Sequence, residues 1–254
     1  MPKQFGSSRA FAGFARLVVT VAGFFIACAS STAMAFASEK FATTDTEPKP
    51  ADLAWQQVFS TAHAPRYLEF SAHFSDMKGQ EHTLHYWRDG GKRLRRNTDG
   101  NVDLMVERLV DGAYRYHVLD HRKKIITHID QTNLQRIGQF SSWDDLSRAL
   151  IAPPSGTRLK KLDTADFSVG KYRCKWYGVI SATPAADLNG HQSICWSQAL
   201  SIPLKITSTV GEEEKVVWKV ETISLNKLSN AAFTSNVAGY AEVNANEDIS
   251  PESD

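Results

Sequence analysis

Between Tyr67 and Ile129 apolar and polar residues alternate in short blocks, and only a few turn-forming residues separate one block from the next. Leu68, Phe70, Ala72 and Phe74 alternate with Glu69, Ser71 and His73, the pattern of a strand with one buried face. Leu84 and Tyr86 mark a second block, and Gly90-Gly91 precedes a third from Lys92 to Asn97. Thr98-Asp99-Gly100-Asn101 reads as a turn before Val102, Leu104 and Val106, and Asp111-Gly112 as another before Tyr114, Tyr116 and Val118. Lys123 to Ile129 completes the series. Connections this short cannot hold the crossover that parallel strands require, which confines the segment to an antiparallel meander. Six strands are expected before residue 130.

Two stretches depart from this period. Leu53, Ala54, Val58 and Phe59 have helical spacing and predict a short amphipathic helix within Ala51 to Ala62. Leu134, Ile137 and Phe140 recur at threes, and Ser142-Trp143-Asp144-Asp145 opens a second helical stretch reaching about Ile151, where Pro153-Pro154 stops it. Strands resume with Tyr172, Cys174, Trp176 and Ile180 on one face, then His191 to Trp196, Pro203 to Ser208, and Val216, Trp218 and Val220. The fold class is therefore mainly β with short helices. About ten antiparallel strands in one sheet are expected to curl, and the helical insert is placed to cover the concave side.

Residues 1–37 read as an export signal. Lys3, Arg9 and Arg16 precede the apolar run Leu17 to Cys28, and Ala33-Met34-Ala35 and Ala35-Phe36-Ala37 both fit a small-residue cleavage site. An uncleaved anchor is the other reading, but the run is short for a span and Ser30, Ser31 and Thr32 interrupt its extension. Residues 38–50 form a polar leader, 51–241 a single domain, and 242–254 an acidic tail without apolar period, expected to be disordered. Localisation in the periplasm follows, with lipidation at Cys28 as the alternative that would tether the chain to a membrane.

Cys28 falls within the signal, so the mature chain keeps Cys174 and Cys195. An oxidising compartment would join them, and free thiols are the other reading. Charge argues against one class of partner: 29 Lys and Arg against 28 Asp and Glu leave no basic excess for nucleic acid.

Chemistry-bearing patterns are sparse. His82 and His85 are three apart on a strand and point to opposite faces, and His117, His121 and His128 straddle a turn without a Cys or carboxylate cluster, so no metal site or cofactor is assigned. No G-x-S-x-G, phosphate loop or dinucleotide fingerprint occurs, and no catalytic residue is assigned. Asp144 and Asp145 suit a helix start. Strand alternation divides Lys92-Arg93-Leu94-Arg95-Arg96, with Arg93 and Arg95 on one face. Two arginines near the inner face would meet a lipid phosphate, an acidic peptide or a lid carbonyl; the other reading is a solvated edge kept apart by charge. The aromatics Phe70, Tyr86, Tyr116, Trp176 and Trp218 fall on apolar strand faces that few helices are available to cover. Either they fill a closed core or they line a cavity for an apolar ligand, with Leu134, Ile137, Trp143 and Leu146 in the covering lid.

The order of elements, with Tyr67-Leu68-Glu69-Phe70, Gly112-Ala113-Tyr114-Arg115-Tyr116, Gly170-Lys171-Tyr172-Arg173-Cys174 and Ile194-Cys195-Trp196-Ser197 before Ile202-Pro203-Leu204, resembles the periplasmic outer-membrane lipoprotein carrier superfamily. This LolA- and LolB-like group includes related sigma-factor regulators, and the resemblance covers about residues 51 to 225. It implies a half-open β-barrel with a helical lid and a non-enzymatic binding role. The implied ligand is a lipid acyl chain or a lipidated peptide, and membrane contact is transient. A lid-gating arginine is also implied, for which Arg93 and Arg95 are the positions weighed. The regulators imply the alternative, a module that holds an envelope protein partner.

Overall fold

The computed structural model describes residues 52–76, 78–138, 140–150, 157–180 and 191–248. The expected signal and polar leader lie outside the described residues. The first element is the two-residue strand β1 (Leu53–Ala54), followed by the helical turn α1 (Trp55–Val58), shorter than the expected helix because β1 takes its first residues into the sheet. Six strands then run as a meander: β2 (Tyr67–Ser75), β3 (Glu81–Asp89), β4 (Arg93–Thr98), β5 (Val102–Arg108), β6 (Tyr114–Asp120) and β7 (Ile125–Asp130). Their registers are antiparallel throughout. The β4–β5 turn uses positive φ at Asp99 (54°) and Gly100 (68°), the backbone that a tight hairpin matched to strand twist requires.

Two helical turns follow. In α2 (Gln131–Arg136) the Asp130 carboxylate accepts from the Asn133 N–H at 2.8 Å, and in α3 (Trp143–Ser147) Ser142 Oγ accepts from the Asp145 N–H at 3.1 Å. Both helices are therefore capped by the residue types that supply a free oxygen to the first turn. The second half of the sheet comprises β8 (Arg158–Lys161), β11 (Lys175–Ile180), β12 (His191–Ser197), β13 (Ile202–Val210) and β14 (Glu213–Ser224); β9 (Ser168–Val169) and β10 (Tyr172–Arg173) form a separate small hairpin.

Among the described residues thirteen strands, the last being β15 (Ala241–Asn244), join one sheet in the order β1-β8-β11-β12-β13-β14-β2-β3-β4-β5-β6-β7-β15. A sheet this wide accumulates twist and curls, and this one remains unclosed as a half-open barrel. The two halves meet where β14 pairs with β2, with Trp218 opposite Phe74 and Val220 opposite Ala72.

The last strand corrects the expectation of a disordered tail for residues 242–248, and residues 249–254 lie outside the described residues. After a 3₁₀ turn (Asn230–Phe233), β15 (Ala241–Asn244) pairs in parallel with β7, and α4 (Ala245–Asp248) follows. Parallel pairing needs a long crossover, and residues 225–240 supply it by passing over the outer face of β4 to β6. Asn246 completes the attachment by accepting from the Asp130 N–H at 2.9 Å. An acidic composition did not prevent this, because backbone pairing and amide bonds, which ignore the apolar period, hold the segment.

Candidate functional site

Register assigns the inner face. Phe70, Tyr86, Arg96, Leu104 and Val118 lie across β2 to β6 in one row, and Leu68, Arg88, Leu94, Val106, Tyr116 and Ile129 in the next. Phe70 stacks on Tyr86 with centroids 4.6 Å apart and meets Trp218 edge-on at 6.0 Å. These aromatics form one apolar wall over the junction of the two halves.

The short helical segment packs over that wall. Leu134 and Leu146 are buried, Ile137 packs against the core, and Trp143 stacks on Tyr114 at 5.5 Å. Phe140 meets Tyr116 at 6.5 Å, and the Tyr116 hydroxyl donates to the Ser141 carbonyl at 3.2 Å. The Tyr86 hydroxyl donates to the Leu146 and Ser147 carbonyls at 3.2 and 3.0 Å, and burial pushes its pKa up to about 12. Arg148 anchors the end of the lid, donating to the Phe59 carbonyl at 3.1 Å and pairing with Asp145 at 2.8 Å. Beyond it, Trp55, Phe59, Tyr177 and Trp196 form a second aromatic cluster, in which Phe59 lies 4.5 Å from Trp55 and 4.9 Å from Trp196. The chain before the meander thus fills the other end of the trough.

Trp176 does not join the wall. Tyr177, its neighbour, continues the Trp218, Ile206 and Ile194 row, so Trp176 points to the opposite face with Cys195 and Lys205. There its indole donates to the Ala165 carbonyl at 3.1 Å and Lys205 lies over its ring at 5.9 Å. Alternation told Trp176 from Tyr177 but not which face turns inward, because both residues are aromatic. The Cys174–Cys195 disulfide forms, also on this outer side.

The arginines are likewise exchanged between faces. Arg93 and Arg95 lie outside, where Arg93 donates to Asn230 at 2.9 Å and Arg95 to the Ala232 and Thr234 carbonyls at 3.2 and 3.0 Å. The inner arginines are Arg88 and Arg96. Arg88 is 1% exposed and donates to the Ser147 carbonyl at 2.5 Å, with Pro65 and Leu200 carbonyls at 3.3 and 3.5 Å. A lid carbonyl is thus held by Arg88, in step with Leu84 and Tyr86, and that parity was the signal in the sequence. Arg88→Met keeps the stem and removes the charge-assisted donors, each worth about 1.5–3 kcal/mol. Amides of residues 143–147 are expected to exchange with solvent at least tenfold faster in this variant, while those of β3 and β4 are unchanged by hydrogen-exchange mass spectrometry.

The histidines separate. His117 and His128 face each other across β6 and β7 with Nδ1 atoms 2.7 Å apart, and burial, then the proximity of His128, lowers the His117 pKa. Among the described residues no group of three or more metal-ligating side chains converges. No helix among them is long and apolar enough to cross a membrane.

Fold and site together define a class: a half-open β-barrel whose apolar concave wall is closed by a short helical lid. No protein-family model and no curated protein sequence matches the chain. It is similar in structure to MucB, at 12% identity and TM-score 0.39 over 72% of this chain and 62% of that one. It is also similar to the MucA/MucB complex of Pseudomonas aeruginosa, at 14% identity and TM-score 0.37 over 74% and 62% of the respective chains. A third similar structure is a putative outer membrane lipoprotein-sorting protein domain from Vibrio parahaemolyticus, at 11% identity and TM-score 0.31 over 72% of this chain and 94% of that domain. The chain thus spans less than two thirds of the length of MucB.

Proposed function

We propose that this chain is an exported, non-enzymatic periplasmic protein that holds an apolar ligand, an acyl chain or a lipidated peptide, against the concave wall. One observation carries the reading: the wall of Phe70, Tyr86, Tyr116 and Trp218 is covered by a lid of two helical turns fastened to it through a few carbonyl bonds. Such a lid is a replaceable cover, since its helices are too short to be stable alone. Ligand and lid compete for the same apolar surface, so affinity reports the difference between their burials.

This competition has a sign that can be measured. Leu146→Ala removes a buried lid side chain and costs the closed state about 2–3 kcal/mol, within the usual range for such truncations. A fluorescent fatty-acid probe is expected to bind the mature wild-type protein and to bind Leu146→Ala at least tenfold more tightly. Absence of probe binding in both proteins, with native mass spectrometry showing a bound polypeptide instead of a lipid, would overturn the reading in favour of a protein-holding module.

A further inference from the structure

Arg96 is the one arginine of β4 left without a partner among the described residues. Arg93 pairs with Asp89 and Asn230, and Arg95 with Asp103, but Arg96 makes no hydrogen bond or ion pair, and its Nε is buried and unsatisfied. Its register sets it opposite Tyr86 on one side and Leu104 on the other, on the inner wall beneath the lid. The rows around it contribute Phe70, Leu94, Val106 and Val118, all apolar. The carboxylate on the inner face of β6, Asp120, lies toward the far end of the strand and is engaged by Lys123 at 3.1 Å. Tyr86 stands between two cations, since Arg88 and Arg96 both act on its hydroxyl.

A guanidinium stays protonated in a protein, and one facing an apolar wall without an anion is an unmet charge. Burial lowers the Arg96 pKa from its ordinary value, which reports the same strain. Arg88 meets its own need with lid and loop carbonyls, which are neutral acceptors. Among the described residues the concave wall therefore offers two cations, an apolar floor and no counter-ion beside them.

We infer that the ligand of the concave wall is an acidic amphiphile, its oxyanion head group received by Arg96 and its chain laid along Phe70, Tyr86 and Trp218. This rests on the binding function proposed above and specifies its ligand class. A carboxylate or a phosphate monoester presents the same pair of oxygens to the planar fork of a guanidinium. An oxyanion also competes with the Ser147 carbonyl for neighbouring Arg88, so head-group binding and release of the lid favour one another.

Isothermal titration of the mature protein with dodecanoate, dodecanol and inorganic phosphate tests this at pH 7.5. Dodecanoate is expected to bind about tenfold or more tightly than dodecanol, the value of one charge-assisted bond, and phosphate alone to bind far more weakly than either. Arg96→Gln should bring dodecanoate to the dodecanol affinity while leaving dodecanol unchanged; Arg96→Met, which keeps the apolar stem, should do the same and serves if the glutamine variant fails to fold. Equal wild-type affinities for acid and alcohol would overturn the assignment while leaving the binding function standing. So would an equal loss of both ligands in the variants, or phosphate competing as well as dodecanoate. Failure of both amphiphiles to bind the wild type would remove the binding function itself.

Discussion

Asp103→Ala is expected to cost about 3–5 kcal/mol of folding stability, the usual penalty for removing one partner of a buried ion pair. Asp103 is fully buried on the outer face of β5, and four side chains converge on it. Arg95 donates from Nε and Nη2 at 3.0 and 2.8 Å, Asn97 at 2.8 Å and Ser235 at 2.6 Å, and His121 Nε2 lies 2.9 Å away. Ser235 belongs to the crossover, as does Tyr240, whose hydroxyl lies 2.8 Å from His121 Nδ1. Removing the carboxylate leaves the part-buried Arg95 guanidinium without its anion, with only the neutral Ala232 and Thr234 carbonyls, and loosens the crossover that delivers β15 to the sheet edge. Burial pushes the Asp103 carboxyl up, but the hydrogen bonds from Arg95, Ser235, Asn97 and His121 outweigh it and hold the pKa below the ordinary carboxylate value. Its stabilisation is therefore complete above about pH 4, the ordinary aspartate range, and is lost as pH falls through the lowered native value. Urea unfolding should show a large gap between wild type and Asp103→Ala at pH 7 that narrows below pH 4. A gap under about 1 kcal/mol at pH 7 would mean that the crossover is held by its backbone pairing with β7 instead.

Removing the disulfide with Cys174→Ala and Cys195→Ala together is expected to cost about 3 kcal/mol from loop-closure entropy in the unfolded chain. The bond spans a sequence separation of 21 residues and ties the start of β11 to β12, with both cysteines buried. It lies on the outer side with Trp176, away from the wall of Phe70 and Trp218. The double variant should therefore unfold at lower urea concentration while binding the fatty-acid probe with unchanged affinity. A fall in affinity of tenfold or more would show that the outer bond sets the spacing of the inner wall.

The resemblance to the carrier superfamily anticipated an arginine acting on the lid, and the structure moves that role within the chain. Arg88 and Tyr86 are adjacent in one parity with Leu84, and both end on carbonyls of α3. The dense basic run attracted the expectation because charge is conspicuous there, yet its outer members serve the C-terminal crossover. A single buried arginine in an apolar strand carries more positional meaning than several on a run, because its burial must be compensated by something specific.

Local chemistry by itself determined the meander from β2 to β7: side-chain parity sets the strands and the short turns set antiparallel pairing. It also determined the helical insert, where the period changes and Asp130 and Ser142 supply caps, and pointed to Cys174 and Cys195 as a pair. What parity leaves open is which of two equivalent faces turns inward, and for Trp176 against Tyr177 and for Arg95 against Arg96 both faces carried plausible residues. Only the tertiary structure decided those, because a face becomes inner through what covers it. Lid and α1 cover one side, the small β9–β10 hairpin and the crossover the other, and each covering segment is remote in sequence from the strands that it shields. The buried polar group at Asp103 and the pairing of residues 242–248 follow from the same cause. Neither has an apolar period, and each takes a hydrogen bond across more than a hundred positions, a distance over which sequence pattern carries no register.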